Sequence, residues 1–125
     1  MTNPHVHVPT VPIDAVPAEF DAANGWGSAA PAPAQLLDVR EEDEWQLGRA
    51  PGAIHIPMTD VPARLDELDI DAEIYVICRQ GGRSVPVVEY LNQIGYEAVM
   101  VSGGMVAWQQ IGRPLTGDGP EAKIY

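Results

Sequence analysis

The stretch that most constrains the fold begins with the apolar run Ile74-Tyr75-Val76-Ile77. It passes through Cys78-Arg79-Gln80-Gly81-Gly82-Arg83-Ser84 into Val85-Pro86-Val87-Val88-Glu89-Tyr90-Leu91. The β-branched run reads as a strand over 73–77, while Val87, Leu91 and Ile94 are spaced four and three, as on one helix face. Proline is tolerated in a helix's first turn, where its missing N–H has no partner to lose. Pro86 therefore obliges the helix to begin close to Arg83 or Ser84. The connection from Cys78 to Gly82 must be short, and a strand that ends on a thiol, turns through two glycines and enters a helix can hold an anion beside a sulfur.

The same alternation recurs along the chain. Leu36-Leu37-Asp38-Val39 is an apolar run ending in charge, followed by Glu41-Glu42-Asp43-Glu44-Trp45, an acidic opening suited to a helix N-terminus that Gly48 then stops. Ala53 to Pro57 reads as a strand closed by proline, and Thr59-Asp60-Val61-Pro62 opens a helix running to about Leu68. Glu97 to Val101 is a further strand, and Met105 to Ile111 a last helix ended by Gly112 and Arg113-Pro114. Upstream, Thr10 to Ile13 reads as a short edge strand and Ala15 to Ala22 as a short helix, with loop at Asn24–Ser28 and Pro31–Pro33. Alternating βα units joined by short loops predict an α/β domain. Its central sheet is mainly parallel and five-stranded, with helices on both faces, and ligands bind beyond the carboxyl ends of the strands. We expect a single domain over residues 10–117, a flexible N-terminal tail over 1–9 and a C-terminal tail over 118–125.

The formal charge of −11 argues against nucleic-acid and anionic-membrane partners, which are bound chiefly by clustered Lys and Arg. The seven cations are Arg40, Arg49, Arg64, Arg79, Arg83, Arg113 and Lys123. Two of them flank Cys78 and two more, Arg40 and Arg49, lie in the stretch paired with it below, which suits a small anionic ligand. No apolar run approaches the roughly 20 residues of a membrane-spanning helix, and no basic segment leads into a hydrophobic one at the N-terminus, so a cytoplasmic location is expected. A lone cysteine forms no intramolecular disulfide; Cys78 is either a buried packing residue or a reactive thiol, and the loop around it favours reactivity. His5 and His7 have no further His or Cys nearby to complete a metal site and read as part of the tail.

A helix N-terminus and adjacent Arg both favour thiolate over thiol, and loop N–H groups unhindered at Gly81 and Gly82 can face a sulfur attached to it. Disulfide exchange calls for a second cysteine, which is absent. Cysteine phosphatases place arginine six positions after the cysteine, whereas Arg83 comes five after and Ser84 occupies the sixth. Acyl-transfer cysteine hydrolases need a histidine base, and His55, inside a predicted strand, reads instead as a hydrogen-bonded structural residue. Sulfur transfer needs no general base once the thiolate is formed.

With its neighbours, this loop resembles that of the rhodanese domain family, written Cys-Arg-x-Gly-x-Arg-Ser; Cys78, Arg79, Gly81, Arg83 and Ser84 match its five fixed positions. Leu37-Asp38-Val39-Arg40 through Glu44, Gly48, Pro51-Gly52-Ala53 and His55-Ile56-Pro57 resemble the family's N-terminal signature. Ser102-Gly103-Gly104, Trp108, Gly112 and Pro114 resemble its C-terminal one. The resemblance implies a rhodanese fold in which Cys78 is the catalytic residue, taking a sulfane sulfur and passing it to a thiol or cyanide acceptor. It implies that Arg79, Gln80, Gly81, Gly82, Arg83 and Ser84 bind the substrate, that no metal or organic cofactor is needed, and that the basic loop suits thiosulfate. Asp38 and Arg40 resemble residues bordering the family's active site, and they read as second-shell support for the loop or as a purely structural ion pair. The family commonly has Gly-His-Ile before Pro-Gly-Ala where this chain has Gly48-Arg49-Ala50, so Arg49 either joins the pocket mouth or is a surface substitution. The alternatives to turnover are a non-catalytic rhodanese-like binding or regulatory module and an arsenate reductase or phosphatase on the same fold.

Overall fold

The computed structural model of the 125-residue chain describes residues 8–20 and 34–124. Of the tail expected over 1–9, residues 1–7 with His5 and His7 lie outside the described residues, as do the loops at Asn24–Ser28 and Pro31–Pro33, while the Pro9 carbonyl accepts from Met100 N–H at 2.7 Å. Five strands, β1 (Thr10–Val11), β2 (Ala34–Asp38), β3 (Ile54–His55), β4 (Glu73–Ile77) and β5 (Glu97–Val101), form one sheet in the order β1-β5-β4-β2-β3. Every pairing is parallel. Among the described residues three α-helices accompany them: α1 (Glu42–Leu47), α2 (Ser84–Gln93) and α3 (Gly104–Gln110). None of the described helices is long and apolar enough to cross a membrane.

Successive side chains of a strand point to opposite faces, and the apolar runs use both. Leu37, Ile74 and Val76 join Val87, Val88 and Leu91 of α2 in one buried cluster. Leu36, Tyr75, Ile77 and Val101 join Met105 and Trp108 of α3 in a second cluster. The sheet is thus buried on both sides, as continuous rather than alternating hydrophobic runs require.

Register decides where the strands end together. Asp38 lies opposite Ile77, and Val39 N–H donates to the Ile77 carbonyl at 3.0 Å, so the chain leaves β2 beside the point where β4 reaches Cys78. From these neighbours the connections run opposite ways, β2 through α1 to β3 on one side and β4 through α2 to β5 on the other. Such a reversal opens a crevice at the carboxyl ends of the two strands.

Several expected elements differ in form. The helix expected over Ala15–Ala22 does not form within the described residues: a 3-10 turn covers Ile13–Ala15 and Val16 is extended at φ −81°, ψ 136°. Pro17 disfavours helical backbone at the residue before it, which accounts for the stop. The segment expected to be an α-helix over Thr59–Leu68 is a run of 3-10 turns over Met58–Glu67, interrupted at Arg64 (φ −124°, ψ 28°). Pro62 removes an N–H from its middle, and Val61 is the one fully buried residue to hold it down. The strand expected over Ala53–Pro57 pairs only at Ile54 and His55. The packed structure also continues beyond residue 117: Asp118 N–H donates to the Gln46 carbonyl and Lys123 N–H to that of Leu47, so the segment set apart as a tail lies along α1.

Gly103 and Gly104 open α3 with φ of +81° and +58°, and a Cβ at Gly104 would collide with the carbonyl oxygens of Cys78 and Arg79. Gly104→Ala should therefore cost about 2 kcal/mol or more, through left-handed backbone and backbone collision together. Urea unfolding of the variant against the parent protein measures the loss.

Candidate active site

Cys78 follows β4 directly and is 1% exposed. The loop it begins is anchored on its first side by α3: Met105 N–H donates to the Cys78 carbonyl at 2.8 Å and Val106 N–H to the Arg79 carbonyl at 3.0 Å. Gly104 makes that approach possible because it has no side chain. On the far side of the arc, Gly81 has φ +143°, a conformation that favours glycine, and neither Gly81 nor Gly82 has any atom within 4 Å of where a Cβ would stand. The outer rim of the loop is bare backbone. Ser84, the first residue of α2, is fully buried, and its hydroxyl is the only side-chain polar atom of that kind without a partner among the described residues. Leaving a buried hydroxyl unmatched costs about 1–3 kcal/mol, so its position calls for a ligand or a functional reason.

Arg83, at the end of the loop, is held by Glu44. The Glu44 carboxylate accepts from Arg83 Nη1 at 2.6 Å and Nη2 at 2.9 Å, and its Oε1 accepts a further bond from Glu41 N–H at 2.9 Å. The bond to Arg83 holds the Glu44 carboxyl below its ordinary 4.5, against the upward push of burial. Arg83 is raised in turn, first by Glu44, and the Cys78 sulfur is among the charges that favour its cation.

Beneath this pair lies a second one, wholly buried. Arg40 and Asp38 are 1% and 0% exposed, and Arg40 Nη2 meets Asp38 Oδ2 at 2.7 Å while its Nε donates to both carboxylate oxygens. The same guanidinium donates to the Gly48 carbonyl at 2.7 Å and to that of Glu44 at 3.4 Å. It ties the end of β2 to the backbone of α1, the helix that carries Glu44.

Asp38 and Arg40 thus lie at the carboxyl end of β2, beside the strand that leads into Cys78, and Glu44 of α1 joins that end to Arg83, the residue before Ser84. Arg49 is directed elsewhere: its guanidinium donates to the Trp45 carbonyl and to Asp118 at 2.8 Å, and lies 5.0 Å from the centre of the Trp45 ring. Its backbone is bridged to Thr116. His55 places Nε2 2.8 Å from the Arg40 carbonyl and stacks on Trp45, with ring centres 4.6 Å apart. Glu44 is placed by the sequence in an acidic helix opening and in the stretch resembling the family's N-terminal signature, with no role at the loop assigned to it. Its place three residues after Glu41, inside the stretch resembling the family's N-terminal signature, was the available signal.

Comparison with known proteins points to one family. The family model described as Rhodanese-like domain matches residues 17–111. YtwF of Bacillus subtilis is 46% identical over 79 residues, covering 63% of this chain and 77% of that protein. A protein of Allochromatium vinosum named Sulfurtransferase is 37% identical over 81 residues, 64% of this chain and 76% of its own length. Among solved structures, a thiosulfate sulfurtransferase from Pseudomonas aeruginosa superposes with a TM-score of 0.73 at 26% identity, covering 95% of this chain and 22% of that one.

Two outcomes follow from the paired charges. Asp38→Ala leaves the Arg40 guanidinium buried without its carboxylate and should destabilise the protein by about 3–5 kcal/mol in chemical denaturation. Glu44 has a folded value below its unfolded one, so its contribution is complete above about 4.5 and is lost as pH falls through the folded value. Thermal unfolding between pH 7 and 3 should show that acid limb, and Glu44→Gln should flatten it.

Proposed function

The chain belongs to the rhodanese-like domain family, and we propose that it is a sulfurtransferase that carries sulfane sulfur as a persulfide on Cys78. The observation that carries the reading is the arrangement at the end of β4. A buried thiol opens a loop that is bare backbone at Gly81 and Gly82 and that ends on a buried, unpartnered hydroxyl at Ser84. Relatives named as sulfurtransferases support the reaction class.

Thiosulfate is the proposed donor, in keeping with the printed name of the Pseudomonas aeruginosa relative and with a loop that carries Arg79 and Arg83. The Cys78 thiolate attacks the outer sulfur; the S–S bond of thiosulfate breaks and sulfite leaves with its electron pair. Cys78 is left as a persulfide anion, which the N–H groups along Arg79 to Ser84 and the Ser84 hydroxyl hold by hydrogen bonds. An acceptor thiolate or cyanide then attacks the outer sulfur, and Cys78 departs as the thiolate that began the cycle. No oxidant or reductant is consumed, and no metal or organic cofactor is part of the proposal.

In the reading, Asp38 and Arg40 act at one remove, by setting the angle of α1, while Arg49 braces the C-terminal segment against Trp45 and Asp118. The acceptor is a small thiol, cyanide or a protein thiol, and a reduced lone cysteine fits a cytoplasmic setting. Mass spectrometry after thiosulfate treatment should show one added sulfur atom on Cys78, discharged by cyanide as thiocyanate. Absence of both products would sink the proposal, and a Cys78→Ser protein that keeps full activity would overturn the residue assignment.

A further inference from the structure

We propose that Glu44 is a positioning residue that sets donor specificity, holding Arg83 to one side of the Cys78 loop and offsetting its charge, so that multiply charged donors are drawn in less strongly. The inference rests on the reading of Cys78 as the sulfur carrier and adds a residue and a charge rule to it.

An anion site gains nothing from a carboxylate at its edge, yet one is built in here. Glu44 is 6% exposed and takes both terminal nitrogens of Arg83 in a paired, two-bond contact, across 39 residues of sequence. Capping α1 does not require this, since the bond from Glu41 N–H engages Oε1 alone. The carboxylate is held in place by burial and by Glu41 N–H as well as by Arg83, on a helix whose backbone Arg40 fastens through the carbonyls of Glu44 and Gly48. Arg83 keeps a side chain 31% exposed and is influenced by the Cys78 sulfur as well as by Glu44. One guanidinium therefore serves two anions, the fixed carboxylate and whatever charge resides at Cys78.

Repulsion from the carboxylate scales with the charge of the arriving donor. A dianion such as thiosulfate feels about twice what a singly charged organic persulfide feels at the same distance. Glu44 thus shifts preference toward singly charged sulfur donors and eases the departure of dianionic sulfite, while leaving the loop N–H groups to hold the persulfide.

Glu44→Gln keeps the shape and one acceptor for Arg83 and removes the charge. The first readout is alkylation of Cys78 by anionic iodoacetate against neutral iodoacetamide, which needs no sulfur transfer. The iodoacetate-to-iodoacetamide rate ratio should rise about three- to tenfold in Glu44→Gln at low ionic strength. It should fall back toward the parent value as added salt screens the difference. Arg83→Gln, which leaves the carboxylate uncompensated, should move the ratio below the parent value. In turnover, Glu44→Gln should lower KM for thiosulfate without raising kcat; a merely structural role would slow both alkylating reagents alike and raise KM at every salt concentration. An unchanged ratio in both variants overturns the proposal. Failure of the parent protein to take sulfur from thiosulfate while the ratio still shifts would count against the donor reading and leave the role of Glu44 standing.

Discussion

Arginine does not give up its proton under conditions a fold survives, so a guanidinium that is 1% exposed must meet a full set of acceptors before the core can close. Arg40 finds them in Asp38, two residues back in the strand, and in the carbonyls of Glu44 and Gly48, along the helix that follows. Satisfying this one side chain fixes the angle at which the chain leaves the sheet. The Glu44 carboxylate, the Trp45 ring against His55 and the edge along which residues 116–123 pair all depend on that angle. A buried ion pair gives back in attraction little more than its desolvation costs, so its contribution lies in the geometry it enforces rather than in net stability.

The parallel α/β plan could be read from residue patterns because its causes are local. Val, Ile and Leu fill strands buried on both faces, and Pro86 and Gly95 bracket α2. The loop length followed from the same proline. What could not be read is mostly long-range. The contact between Glu44 and Arg83 spans 39 residues, and Glu44 also has a sufficient local explanation in its bond from Glu41, which conceals the longer one. Arg49 reaches Asp118 across 69 residues, which no spacing rule reveals. The segment at Met58–Glu67 carries helix-start signals at Thr59 and Asp60, yet its interior proline and lack of a buried stripe leave it as 3-10 turns. At Val16 the restraint imposed by Pro17 outweighed a helix-favouring composition.

The candidate site divides its work between backbone and side chain. The loop's first two carbonyls are taken by α3, its last charged residue by α1, and the first turn of α2 contributes Ser84. Three helices converge on seven residues, and each holds a different part of the arc. A backbone cradle of this kind loses little freedom when a ligand arrives, because the sheet and helices have already fixed it.

The exposed arc at Gly81 and Gly82 separates two properties that most buried sites keep joined. Gly82 does not take a positive φ and has no neighbour within 4 Å of a would-be Cβ, so the fold does not demand glycine there. What glycine provides at that position is open space over the loop. Side chains can therefore be added at this turn one at a time without disturbing the core beneath it, and under the proposed sulfur transfer that makes it the place where the range of acceptors is adjustable independently of stability.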